Sequence, residues 1–219
     1  EYFNYGTYNG FNYNADLWGF EYGMSRFGTK KTHFDSNVLD WYYFTGKKVS
    51  PDEIDTFLNQ LKLTDIKSNS TNKFVRYLFE YKKHGALKYL TIAKQCEDVN
   101  SWEVKDSWER EEVKLDKERL KILNKVLAQY RQEKNDYLKR KYAFLAIRLD
   151  YYAGGDAWTQ KLFKETFQYS KKDYLYYWAL FFTCFSKSDG EQMVEASRLM
   201  ANSPEKFEAS YYYFHDKFS

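Results

Sequence analysis

The chain has 219 residues, 43% hydrophobic and 21% aromatic, with two prolines, ten glycines and a formal charge of +3. That suffices for one extended helical domain or two small ones, and the intermixing of both charge signs excludes the basic footprint of a nucleic-acid binder. Scarce proline and glycine argue against disorder and against a many-turned β sandwich, and no apolar run reaches the roughly 18 residues a membrane-spanning helix needs.

Residues 1–34 interleave aromatics with Asn and Gly, with neither helical period nor alternation. Gly and Asn favour turns and left-handed backbone, so this stretch reads as an irregular, aromatic-rich arm with a short helix near 16–22. Its preferred role is to cover the open end of a helical stack; the alternative is a glycan platform built on Trp18, Phe20 and Tyr22. Gly23, Ser25 and Gly28 mimic a nucleophile elbow, but Phe27 stands where the second glycine belongs and no strand precedes it.

Residues 35–100 form a first helical sub-region. Asp35 or Ser36 caps a short helix through Phe44, stopped by Gly46. Ser50, Pro51, Asp52 and Glu53 predict a capping box and a helix start, with Ile54, Phe57, Leu58 and Leu61 on its core face. The polar residues 68–72 form a loop, in which Asn69, Ser70 and Thr71 match a glycosylation acceptor but read as turn composition. Two helical runs follow, 74–82 and 86–96, split by His84 and Gly85. Gly85 is expected to take the left-handed position that ends the first run, with His84 in its last turn, against the helix dipole.

Residues 101–219 form the repeat region, entered through the polar loop around Trp102. From 108 to 132 the pattern is one long amphipathic helix, with Val113, Leu120, Leu123, Leu127 and Tyr130 on one face. Glu111 with Lys114 and Glu118 with Lys121 place opposite charges on the solvated face. The run 142–152 (YAFLAIRLDYY) is almost wholly apolar, breaks at Gly154, Gly155 and Asp156, and resumes over 158–167. The run 174–185 (YLYYWALFFTCF) repeats that plan, breaking at 186–190 and resuming over 192–200. Ala146 pairs with Ala179 and Asp156 with Asp189, each 33 residues apart (179 − 146 and 189 − 156). A helix–turn–helix period of that size predicts an all-α fold, a TPR-like α-solenoid of helical hairpins that hide their apolar faces by stacking. Ser203 and Pro204 start a last helix over 205–218, apolar nearly all round, which predicts continuation beyond Ser219 or burial between molecules.

Several segments, NVLDWYYFTGKKVSPDEI (37–54), ALKYLTIAKQCE (86–97), DSWER (106–110), LKRKYAFLAIRLDYYAGGD (138–156), LYYWALFF (175–182) and MANSPEKFEASYYYF (200–214), together resemble a family of uncharacterised Bacteroidetes exported lipoproteins with TPR-like repeats. The resemblance covers most of the chain after residue 34. It implies an N-terminal part of a longer protein that begins after a lipidated cysteine, a periplasmic or outer-membrane location, and attachment to membrane only through that anchor. The family supplies no catalytic residues. Trp158, Phe163 and Phe167 depart from the usual tetratricopeptide pattern, which prefers small residues in the second helix.

Chemistry-bearing motifs are scarce. HExxH, CxxC and P-loop patterns are missing, and His33, His84 and His215 have no second ligand at metal spacing. Cys96 and Cys184 sit in apolar helical contexts and read as small buried hydrophobes. No residue is assigned a catalytic, binding or metal-ligating role, and no cofactor is expected. The expected function is a non-catalytic scaffold for a protein or peptide partner. The alternatives are a carbohydrate-binding module and, next, an envelope glycan-processing enzyme using a single Glu.

Overall fold

The computed structural model describes residues 34–100, 112–203 and 206, and among these it is all-helical, without a strand. The helices are α1 (Ser36–Phe44), α2 (Pro51–Gln60), α3 (Lys73–Glu80), α4 (His84–Asn100), α5 (Glu112–Gln132), α6 (Asp136–Tyr152), α7 (Ala157–Leu162), α8 (Tyr174–Thr183) and α9 (Asp189–Asn202). A short 3-10 turn follows α2 at Leu63–Asp65, and α7 runs into a π-helical turn at Phe163–Phe167. The expected arm 1–34 (all but Phe34), the Trp102 loop and the last helix beyond Lys206 lie outside the described residues.

The order of packing follows from local signals. Three junctions use the same C-terminal motif, in which the second residue past the C-cap bonds back five positions and the first bonds back three. Lys47 and Gly46 donate to Tyr42 and Tyr43 after α1, Lys83 and Lys82 to Leu78 and Phe79 after α3, and Gly155 and Gly154 to Asp150 and Tyr151 after α6. The left-handed residue is Gly46 in the first turn (φ 64°) and Gly154 in the third (φ 77°). In the second it is Lys82 (φ 50°), which corrects the expectation placed on Gly85. Gly85 lies inside the first turn of α4, where a Cβ would come within 3.0 Å of Leu138 Cδ1. His84 is therefore an exposed residue at the start of α4, at the positive end of its dipole.

Helix starts exchange partners as well. Ser50 caps α2 by accepting from the Glu53 amide at 3.4 Å, but Glu53 does not close the box. Its carboxylate accepts instead from the Lys73 amide at 2.9 Å, at the start of α3, while Asn72 caps α3 and donates to the Glu53 carbonyl. The closed box forms where the same Ser-x-x-Glu spacing recurs, at Ser188 and Glu191 before α9. The two hydrogen bonds from Ser188 hold the exposed Glu191 carboxyl below its ordinary range.

Helices α4, α6 and α8 lie side by side in a row; α5 packs on α4 and α6, α7 on α6, and α9 on α8. Most of α6 is enclosed, and all residues from 141 to 150 are buried. Of the face read from sequence in α5, Leu123 and Leu127 are buried and Tyr130 is half-buried, Leu120 is exposed, Val126 joins the core, and the side chain of Val113 lies outside the described residues. Helix α1 crosses this arrangement through Trp41, which is fully buried against Phe74 of α3, Tyr89 of α4 and Tyr137 of α6.

The α6–α7 junction leaves no room for a side chain at Gly155. Asp156 makes no capping bond of its own; buried Asp150 serves α7 from the preceding helix, accepting from the Thr159 amide at 2.8 Å and its hydroxyl at 3.1 Å. A Cβ on Gly155 would collide with the Asp150 carboxylate and backbone. Gly155→Ala should therefore cost about 1–3 kcal/mol of stability through overpacking. Lys82→Gly should instead stabilise by about 0.5–1 kcal/mol, because it relieves a left-handed lysine at the cost of some chain entropy. Urea denaturation of both variants checks the opposite signs.

Candidate functional site

Among the described residues two features gather chemistry-bearing side chains, one closed and one open. The closed feature is built on Lys141 of α6, a lysine with almost no exposure to water. Its ammonium donates to Asn37 Oδ1 at 2.9 Å and Tyr174 Oη at 2.7 Å, and pairs with Asp40 Oδ2 at 2.9 Å. Three acceptors thus meet the three donors of a lysine. The rings of Trp41, Tyr137 and Tyr174 surround the charge at 4.8, 5.0 and 5.5 Å from their centroids. Tyr174 in turn donates to Asp40 at 2.7 Å, so α1, α6 and α8 meet at one polar cluster although 134 residues separate Asp40 from Tyr174.

Burial pulls the Lys141 pKa below its ordinary value, and the adjacent Asp40 offsets this only in part. For Asp40, burial acts to raise the pKa, but the Lys141 charge and the hydrogen bonds from Lys141 and Tyr174 outweigh it and leave the carboxyl below 3.8. Burial first, and then the Asp40 charge, push the Tyr174 phenol up. The three donors of Lys141 are thus met, and the cluster ties α1, α6 and α8 together.

The open feature is a groove of about 330 Å³ lined by Lys48 and Val49 from the α1–α2 loop and by Lys73, Arg76, Tyr77, Glu80 and Tyr81 from α3 and its end. The α3 residues recur at three- and four-residue spacing, which puts them on the one face of that helix left uncovered when Phe74, Val75 and Leu78 turn inward. Tyr77 and Tyr81, one turn apart, stack at 4.5 Å between centroids. The Lys48 ammonium lies 4.6 Å from the Tyr81 centroid, and the Tyr81 side of the groove is open, at 46% exposure. The lining carries three cations against one carboxylate, a local balance of +2 (3 − 1), whereas the whole chain carries +3.

The residues singled out from sequence fall elsewhere. Trp18, Phe20, Tyr22, Gly23, Ser25, Gly28, His33 and His215 lie outside the described residues. Cys96 and Cys184 are both buried, neither in a disulfide, and burial pushes the Cys184 thiol up to about 12, far from a poised nucleophile. Among the described residues no group of three or more His, Cys, Asp or Glu could hold a metal ion. No described helix is long and apolar enough to cross a membrane. Sequence reasoning missed both features. Arg76, Tyr77 and Tyr81 were legible as the outward face of an amphipathic helix, but nothing in the sequence separates Lys141 from the neighbouring Lys139 and Arg140.

Asp40→Ala leaves Lys141 enclosed without its counter-ion and should cost about 3 kcal/mol or more, most of it recovered in the Asp40→Ala, Lys141→Met double variant. The carboxyl of Asp40 has a lower pKa folded than unfolded, so its stabilisation is present above pH 4 and disappears as the pH falls through its folded value. Lys141, lowered by burial, adds a penalty that is complete below its folded pKa and eases as the pH rises through it. Below pH 4 the native chain should therefore lose stability more steeply than Asp40→Asn, measured by urea unfolding at stepped pH. No protein-family model matches the chain, and neither a curated protein nor a solved structure shows significant similarity to it.

Proposed function

We propose that this protein is a non-catalytic binding scaffold, in which helical hairpins stacked as a TPR-like α-solenoid present the tyrosine-lined groove of α3 to a protein or peptide partner. The solenoid reading is supported by the row of α4, α6 and α8, each with a second helix packed beside it. Export as a periplasmic or outer-membrane lipoprotein belongs to the same proposal and rests on the sequence resemblance alone. One observation carries the binding role. Tyr77 and Tyr81 form a stacked pair at the wall of an open groove, beside cations, whereas most of the other described rings are buried or packed on the core. Tyrosine and arginine are among the residue types enriched in binding hot spots, tyrosine because it offers a large contact area with few torsions to freeze and arginine because its planar fork of donors matches a carboxylate.

The same geometry weighs against a glycan platform at this groove. Sugar stacking needs a free ring face, and Tyr81 has Tyr77 against one side and the Lys48 ammonium over its ring. A peptide needs only the rims and edges.

Selection of a random peptide library displayed on phage against the purified chain should enrich sequences whose binding is lost in Tyr77→Ala and Tyr81→Ala, with helical circular dichroism unchanged. Saturable binding on a glycan array that both substitutions leave intact, with no peptide enriched, would overturn the proposal.

A further inference from the structure

The groove also specifies the charge and polarity of what it binds, an inference that rests on the scaffold reading just given. Its lining is ordered along α3. Lys73 and Arg76 occupy the N-terminal half, the tyrosine pair the middle and C-terminal end, and Glu80 lies between the two rings in sequence. Lys73 is only loosely engaged, 3.6 Å from Glu53 at an exposed site. The guanidinium of Arg76 has no hydrogen-bond or ion-pair partner among the described residues, although Glu80 stands one turn away on the same helix. An unengaged guanidinium beside an open groove is a fork suited to a carboxylate. The positive end of α3 is already met by Asn72 and the Glu53 carboxylate, so the charge left for a ligand is chiefly that of Arg76.

We propose that the groove takes a short peptide segment bearing a carboxylate side chain next to an aromatic or aliphatic one. The carboxylate binds at Arg76 and Lys73, and the apolar side chain packs on the edges of Tyr77 and Tyr81. Glu80 supplies the opposing element. Glu80 repels a carboxylate placed between the two rings, which favours a segment whose acid lies at the Arg76 end, and the Lys48 ammonium over Tyr81 softens that repulsion. Charge complementarity at an exposed groove acts mainly on encounter and selectivity, so the interaction weakens as salt rises.

Four fluorescein-labelled peptides of equal length, each with one central tyrosine, test this by fluorescence polarisation with the 219-residue chain. One carries acids only before the tyrosine, one the amides of those acids, one acids on both sides, and one lysines. The first should bind tightest and lose about tenfold or more in affinity to the Arg76→Glu variant. Glu80→Gln should narrow the gap between the first and third peptides. Lys164→Glu, an exposed charge on the π turn outside the groove, should change neither.

Equal binding of the acidic and amide peptides, or preference for the lysine peptide, sinks the charge claim. If Tyr77→Ala still abolishes that binding, the scaffold reading stands without it. If none of the four peptides binds and the phage selection also fails, both readings fall together. Self-association of the unliganded chain that Arg76→Glu disrupts would assign the groove to a second copy of this protein and overturn the peptide proposal.

Discussion

Burial of α6 on every side is the constraint from which the rest of the structure follows. A helix enclosed from 141 to 150 must satisfy each polar group it carries from within the protein, because a desolvated charge without a partner costs several kcal/mol. Lys141 recruits α1 and α8; Asp150 becomes the cap of α7; Arg148 sits among the rings of Phe144, Tyr152 and Phe182. Between them these contacts reach α1, α7 and α8. The polar residues of the central helix therefore fix where the surrounding helices can lie, and the apolar ones supply the area that makes the enclosure favourable.

The Lys141 cluster also changes the character of the helical stack. In a pure repeat array each unit touches only its neighbours and stability is a sum of local terms. Here α1 bonds to α8 through Asp40 and Tyr174, so the first described helix and the eighth share one buried charge. Closure of that kind resists peeling from either end and gives the groove on α3 a rigid backing, since Trp41 of α1 packs directly on Phe74 of α3.

Legibility in the sequence divided along a physical line. Helix starts and stops were readable where a single residue settles the matter locally: Asp35, Ser50, Gly46 and Gly154 act where their chemistry predicts. The 33-residue offset aligns Ala146 with Ala179, and both are fully buried. It fails at the ends. The N-caps of α6 and α8 are 38 residues apart (173 − 135), while those of α7 and α9 are 32 apart (188 − 156), because α6 has 17 residues and α8 has 10. The two Ser-x-x-Glu patterns were indistinguishable on paper, yet Glu53 caps a neighbouring helix and Glu191 its own. The difference lies in whether another helix start comes within reach.

The sequence by itself determined the all-helical class, most helix boundaries and the apolar faces, since these depend on interactions within about one turn of the chain. Tertiary structure alone decided which cations would be buried, which carboxylate would cap which helix, why a side chain at Gly85 would press on Leu138, and which tyrosines would remain at the surface. Those outcomes depend on approach distances between segments far apart in the chain, and residue identity carries no record of such distances. Lys139, Arg140 and Lys141 stand side by side with nearly the same chemistry, and only packing against α1 and α8 makes the third of them the charge on which the fold closes.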